Sequence, residues 1–190
     1  MTCDQLTPKS YPALLWIVSS ISLMLLGGCA REGPEPPRVV NGSIDLSDWD
    51  FERDGEVSLE GDWHFWWEAL HPPERFLGGQ RPPQSEFAPV PKSWSHYEGV
   101  GGEPTAKTPG GYATYAVSLQ LPAARDASLT ILQSDLRDSG RIFLLNQDGV
   151  TSSDASGRVG TSYDSYIPLR ARMRVDIDAS DGHELLLVVQ

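Results

Sequence analysis

Residues 112–121 read YATYAVSLQL and decide the fold class, because their apolar side chains recur at every second position. Successive side chains of a strand point to opposite faces, so this alternation is typical of a strand with one face buried and the other in water. Residues 172–178, RMRVDID, repeat the pattern with Met173, Val175 and Ile177 on the buried face. The period of two therefore predicts an all-β domain.

Further strands are predicted where short apolar runs lie between turn residues. These strands are 57–60, 62–67, 128–133, 141–146 and 184–190, and one short helix is predicted at 66–70. Many short strands with frequent turns favour a β-sandwich, with the jelly roll as first choice. Because the last run stops at Gln190 in the middle of a buried strand, we expect the domain to lack its last strands and the sequence to be the front part of a longer protein.

The N-terminus carries an export signal. Residues 13–26, ALLWIVSSISLMLL, are apolar and uncharged, but they are too few for a membrane-spanning helix of about 20 residues. Gly27, Gly28 and Cys29 follow, and with Leu26 they resemble a bacterial lipobox. We therefore expect an exported protein whose signal peptide, 1–28, is removed and whose Cys29 is acylated and anchored in the membrane. An ordinary signal peptide with an incidental cysteine and an uncleaved anchor are the alternatives.

A proline-rich linker is predicted between the anchor and the domain. Residues 31–38 read REGPEPPR, a charged segment that stays extended and solvated. The predicted organisation is a linker over 29–45 and a ligand-binding domain over 46–190, with the compact part starting near Val39 or Leu46. The mature chain would hold no disulfide, since its one remaining cysteine is the acylated one.

Charge and motif content exclude several functions. The chain has 15 basic and 26 acidic residues, a net charge of −11, which repels phosphate backbones and anionic headgroups, so no nucleic-acid partner is expected. A G-x-S-x-G elbow and a Gly-rich phosphate loop are both absent from the sequence. The histidines are scattered: His64, His71, His96 and His183. We therefore expect no enzyme activity in this segment, no cofactor and no metal site.

Aromatic and basic residues supply the candidates for ligand binding. In residues 61–67, GDWHFWW, alternation sends Trp63 and Trp67 to one face of a strand and His64 and Trp66 to the other. Trp66 either stacks on a sugar ring or covers the sheet under a loop. The candidates, each with a packing, capping or surface role as its alternative, are Trp66, Trp94, Tyr97, Arg137, Arg158 and Tyr163.

Two strings resemble elements of galactose-binding-domain-like jelly rolls. Residues 59–65, LEGDWHF, resemble the opening L-x-G-x-W-x-F, and residues 90–94, VPKSW, resemble the V-P-x-S-W element. Two groups share these elements. One is the N-terminal sugar-binding domain of β-galactosidase and β-glucuronidase type hydrolases. The other is the extracytoplasmic domain of bacterial seven-transmembrane receptors with diverse intracellular signalling modules.

The string GGYATY at 110–115 favours the receptors, because it resembles their G-x-G-[FY]-A-T-Y element. The strings SGRIFLLN at 139–146 and GRVG at 157–160 are similar to the receptor pattern as well. Two features depart from it: Ala116 stands where an arginine is common, and a lipobox is not expected ahead of a receptor with several membrane spans.

The resemblance implies a sensory domain that faces the periplasm or the cell exterior and binds a small molecule or carbohydrate. The implied output module is a histidine kinase or an adenylate or diguanylate cyclase, behind a downstream seven-helix membrane region. A sugar-binding module, either a free-standing lipoprotein or the front of a hydrolase, is the alternative. A structural lipoprotein that recruits a partner is a third.

Overall fold

The computed structural model describes residues 33–83, 85–93, 110–123, 127–134 and 138–190, and nearly all of their regular structure is β. The strands are β1 (Ser43–Asp45), β2 (Gly61–Trp67), β3 (Glu86–Val90), β4 (Ala113–Gln120), β5 (Leu129–Gln133), β6 (Gly140–Leu145), β7 (Val150–Ser156), β8 (Met173–Ile177) and β9 (Glu184–Val189). The helical elements of the described residues are a one-turn α-helix, α1 (Phe51–Asp54), and two 3₁₀ segments, Pro73–Gly79 and Ala179–Asp181. None of these described helices has the length and apolar character needed to cross a membrane.

Two sheets form a β-sandwich within the compact unit Glu35–Gln190. The larger sheet has the order β3-β2-β4-β9-β6-β7, with β1 paired in parallel to the end of β4, and its other pairings are antiparallel. The smaller sheet is the antiparallel pair β5 and β8. The predicted all-β sandwich is confirmed.

The main core lies between the sheets, because the alternating apolar side chains of β4, β8 and β9 all face it. Val117, Leu119, Val175 and Leu187 belong to this core and are each at most 3% exposed. Burial of several such side chains supplies most of the drive to fold, at about 1.5–3 kcal/mol for each large aliphatic group. The inward positions of β4 and β8 were correctly predicted, but the outer face of β4 is not in water along its whole length, since Thr114 and Ala116 are fully buried.

Side chains of β7 join the larger sheet to the edge of β8. The Arg174 N–H donates to Asp154 Oδ2 at 2.9 Å, and the Asp176 N–H donates to Ser152 Oγ at 3.2 Å. The two amides are two residues apart, so they lie on the same edge of β8, turned toward β7. Polar residues of β7 thus close this side of the sandwich.

Several predicted elements differ from the structure. Residues 57–60 form no strand, and the predicted helix at 66–70 is wrong because β2 continues through Trp67, which pairs with Ala113. Three strands were not predicted: β1 has only three residues, β3 contains Pro89, and β7 reads VTSSDAS without apolar alternation. The folded residues also begin inside the predicted linker, since Val39 and Ile44 are buried in the core.

Candidate functional site

The outer face of the larger sheet is partly covered by the loop that follows β2. Here "outer cluster" denotes the buried residues Trp66, Phe76, Ala116, Leu145 and Val188. Phe76 comes from the 3₁₀ segment Pro73–Gly79, and its ring meets the Trp66 ring edge-on at a centroid distance of 5.4 Å. The loop is therefore attached to the sheet by apolar packing.

Trp66 lies under this loop, not at the surface. Its side chain is 4% exposed, and its indole N–H lies 3.2 Å from the Pro82 carbonyl and 3.3 Å from the Pro83 carbonyl, donating to both. The Phe76 and His71 rings approach it edge-on. Because the loop lies over it, the face of the Trp66 ring is not accessible to a ligand in this structure. Trp66 thus covers the sheet under a loop, which was the alternative to stacking on a sugar.

A groove of about 540 Å³ lies beside the outer cluster. Its floor contains Ser118 and Gln120 of β4 together with Leu186 and Glu184 of β9, which are their register partners. These positions alternate with core residues along both strands, so the pleat turns them outward. Because they sit on paired strands, the floor of the groove is rigid.

Arg81 lies along one wall of the groove and connects the loop to the sheet. Its guanidinium donates to Ser118 Oγ at 2.6 Å and contacts His64 Nε2, while His64 Nδ1 lies 3.2 Å from Ser85 Oγ. Burial first, and then the Arg81 charge, lower the pKa of His64. At neutral pH the imidazole is therefore uncharged, and its Nε2 can accept a hydrogen bond from Arg81.

The opposite wall is formed by the turn after β6 and the segment before β9. Asn146 fixes this wall: its Oδ1 accepts from Asp148 N at 2.9 Å and Gly149 N at 3.1 Å, and its Nδ2 donates to the Asp181 carbonyl at 3.4 Å. Asp148 on this wall and Glu184 on the floor bring carboxylates to the groove, whereas the Asp181 carboxylate accepts from the Asp178 N–H at 2.8 Å. The groove therefore presents hydroxyl, amide, carboxylate and guanidinium groups together, a set suited to binding a polar ligand by hydrogen bonds.

Among the residues that the structure describes, no three His, Cys, Asp or Glu side chains are grouped so that they could hold a metal ion. The Asp176 carboxylate is engaged in hydrogen bonds within the protein. It accepts from Thr130 Oγ1 at 2.8 Å and from Arg174 Nη2 at 2.7 and 2.8 Å. The Thr130 hydrogen bond, followed by the Arg174 contact, lowers the pKa of Asp176.

Of the predicted ligand-binding residues, the structure describes Trp66, Arg158 and Tyr163, and none of these three lines the groove. Arg158 and Tyr163 lie in the segment between β7 and β8 and do not line the groove. Trp94, Tyr97, Arg137 and the acylation site Cys29 lie outside the described residues.

The groove was not predicted as a site, although two residues of its floor belong to the alternating string that predicted a strand. Ser118 and Gln120 are the polar positions of the alternating string at 112–121. Arg81 stands in a Gly- and Pro-rich stretch, GGQRPP at 78–83, where no periodicity indicates its position. Its contact with Ser118 joins residues 37 positions apart, which local patterns do not predict.

No protein-family model matches the chain, and a search of curated proteins finds no match. Fold and groove together define the class: a β-sandwich with a polar groove on the outer face of its larger sheet.

Proposed function

We propose that this chain is the extracytoplasmic ligand-binding domain of a bacterial membrane signalling receptor, and that the groove binds a carbohydrate. The groove is the observation that carries the proposal, since about 540 Å³ lies within the range of roughly 300–1,000 Å³ that small-molecule sites occupy. Export is supported by the apolar run at 13–26 and the lipobox-like residues that follow it. The receptor assignment, with a histidine kinase or an adenylate or diguanylate cyclase as output, is supported by the resembling strings at 59–65, 90–94 and 110–115.

Sugar hydroxyls both donate and accept hydrogen bonds, and the groove offers partners of both kinds. Arg81 donates, Glu184 accepts, and Ser118 and Gln120 do both. Ser118 and Gln120 lie two positions apart on β4, roughly 7 Å along the strand. A sugar ring that lies along β4 would contact both side chains, and the rigid floor would keep the cost of ordering them small.

Binding would act on the loop that Arg81 connects to the sheet. Because Arg81 already donates to Ser118, a ligand on the groove floor competes for that contact or adds to it. Either outcome changes how strongly the loop is held against the outer cluster. A ligand with different affinities for the two loop arrangements would shift their populations, and in a receptor that shift would reach the membrane bundle.

A screen of mono- and oligosaccharides by thermal shift, followed by calorimetry on the hits, tests the binding proposal. Gln120→Ala should weaken a saccharide hit about tenfold, since it removes groove contacts to the sugar. Gln133→Ala on β5 is the matched control, because Gln133 is also half-buried but lies outside the groove. Absence of any saccharide hit, or equal weakening in both variants, would contradict the proposal.

The coding sequence beyond Gln190 tests the receptor assignment separately. It should specify about seven apolar stretches of roughly 20 residues, followed by a kinase or cyclase module. A (β/α)-barrel pattern with paired glutamates would make the domain part of a hydrolase, and a stop codon would remove the receptor assignment. These outcomes leave the groove experiment intact.

A further inference from the structure

The segment that connects β7 to β8, residues 157–172, exposes apolar side chains to solvent. Its sequence is GRVGTSYDSYIPLRAR. Tyr163 is 96% exposed, Leu169 54% and Ile167 49%. Single exposed apolar residues are ordinary on protein surfaces, but this segment carries three of them close together in the sequence. We call this segment the β7–β8 loop.

The β7–β8 loop has a defined shape. Arg158 and Ile167 exchange two backbone hydrogen bonds of 2.9 Å each, so the two legs of the loop are paired. At its base, Ser156 Oγ donates to the Leu169 carbonyl at 2.5 Å. Residues directly opposite each other in an antiparallel pair turn their side chains to the same face. The aliphatic part of the Arg158 side chain therefore lies beside the Ile167 side chain. The base of the loop and the Ile167 position are therefore held in a defined conformation.

The charge of the loop is opposite to that of the chain. The loop contains Arg158, Arg170, Arg172 and Asp164, a net charge of +2, so the remaining residues of the chain carry −13. The Asp138 carboxylate accepts from the Tyr166 hydroxyl at 2.6 Å and reduces the local charge to +1, still opposite in sign to the rest of the chain. An anionic surface would repel most of the molecule and attract this loop, which fixes the orientation of approach. The expectation from net charge, that the chain avoids anionic headgroups, does not apply to this loop.

We propose that the β7–β8 loop docks on the surface of an anionic lipid bilayer. Tyr163 would lie at the headgroup level, where amphipathic rings are favoured, with Ile167 and Leu169 at the edge of the acyl region and the arginines against lipid phosphates. A folded protein partner fits less well, because three side chains cover at most a few hundred Å², whereas a stable protein interface buries about 800 Å² on each partner. The inference does not depend on carbohydrate binding in the groove.

Partition of the full chain onto vesicles tests this proposal. Vesicles of phosphatidylcholine alone are compared with vesicles of phosphatidylcholine and phosphatidylglycerol at equal amounts, at low and high salt. The N-terminal segment is identical in every variant and contributes equally. Hydrogen exchange of residues 157–172 on the same vesicles locates the contact.

Two pairs of substitutions separate charge from apolar contact. Arg158→Gln with Arg172→Gln removes two charges of the loop, and Tyr163→Ser with Ile167→Ser removes apolar surface. Arg172→Gln alone is also made, because Arg158 Nε donates to the Ser165 carbonyl and its loss can alter the loop.

The matched controls are Arg38→Gln and Val40→Ser. Both residues are exposed, Val40 by 61%. Val40 lies next to β2, and β2 is separated from β7 by four strand spacings, about 19 Å.

The wild-type chain should prefer the anionic vesicles at least tenfold, with slowed exchange in the β7–β8 loop and loss of the preference at high salt. Each arginine removed should weaken binding to anionic vesicles roughly fivefold. The double serine variant should also bind these vesicles roughly fivefold more weakly than the wild type. The control variants should bind like the wild type. The proposal is overturned by equal partition onto both vesicles, by loop variants that behave like the controls, or by loop protection that rises with protein concentration in the absence of lipid. The last result would indicate self-association.

Discussion

Gly42 lies directly against the His64 ring, so closely that a Cβ at position 42 would overlap the ring atoms. Its φ of +73° also belongs to the left-handed region that glycine adopts without strain. At this point the chain enters β1: the Gly42 N–H donates to the Asp62 carbonyl, and the Gly42 carbonyl accepts from the Ser118 N–H. The backbone of Gly42 thus links β2 to β4 by hydrogen bonds. Because Gly42 has no side chain, there is room for the His64 ring beneath the groove wall.

Gly42→Ala should lower the free energy of unfolding by about 2–4 kcal/mol, since backbone strain adds to overpacking against His64. Gly78→Ala is the matched control, because Gly78 is also left-handed, with φ +67°, but has open space where the Cβ would lie. It should cost only about 1 kcal/mol. Urea denaturation of both variants measures the difference, and equal losses would show that the His64 contact contributes nothing.

Trp66→Phe should lower the free energy of unfolding by about 1–2 kcal/mol, because it removes the indole N–H that donates to the Pro82 and Pro83 carbonyls. Trp66→Ala should cost about 3–5 kcal/mol through loss of packing against Phe76. A saccharide that binds the groove should bind the phenylalanine variant with unchanged affinity. A loss of saccharide binding in a stably folded Trp66→Phe chain would show that the indole contributes to the site, either by direct contact or by holding Pro82 and Pro83 beside Arg81.

Alternation along single strands could be predicted from the sequence because the pleat determines it locally. The string at 61–67 placed Trp63 and Trp67 on one face and His64 and Trp66 on the other, and the clusters in the structure follow that division. Alternation does not show what lies over each face. The outer face that carries Trp66 is covered by a loop whose Phe76 lies ten positions further along the chain.

Other parts of the fold and site could not be predicted because they depend on tertiary partners. β7 has no apolar alternation, and it forms a strand through pairing with β6 and through contacts of Ser152 and Asp154 with β8. The groove is built from separate stretches of the chain, of which only the β4 part, residues 118–120, belonged to the alternating string. Arg81 is placed by its contacts with His64 and Ser118, and no local pattern indicates either contact.

Replacing Ser152 and Asp154 together by alanine should lower the free energy of unfolding by about 2 kcal/mol, since two backbone amides of β8 lose their acceptors. Ser153→Ala is the matched control on the same strand, because Ser153 is exposed, and it should change stability by less than about 0.5 kcal/mol. Hydrogen exchange at Arg174 and Asp176 provides a local measurement. These amides should exchange faster in the double variant only, and unchanged exchange would mean that the β7 side chains do not hold the edge of β8.

Stability should fall as the pH decreases from about 7 to 5, and His64 should account for part of that fall. Burial and the Arg81 charge lower the pKa of His64 below its ordinary value of 6.5, and burial followed by the Arg75 charge lowers the pKa of His71. Below pH 6.5 the unfolded chain therefore takes up protons that the folded chain does not, so the free energy of unfolding decreases. Above that pH both states are neutral at these histidines, and their contribution to the pH dependence ends.

His64→Gln should reduce the slope of stability between pH 5 and 7 and leave the part due to His71. Arg81→Gln should raise the pKa of His64 part of the way, because it removes the charge but leaves burial, the larger cause. Denaturation at several pH values measures the slope, and NMR titration of the His64 ring protons measures the pKa directly. A wild-type His64 that titrates at or above 6.5 would contradict both expectations, since it would mean that the ring is solvated and that Arg81 does not lie against it.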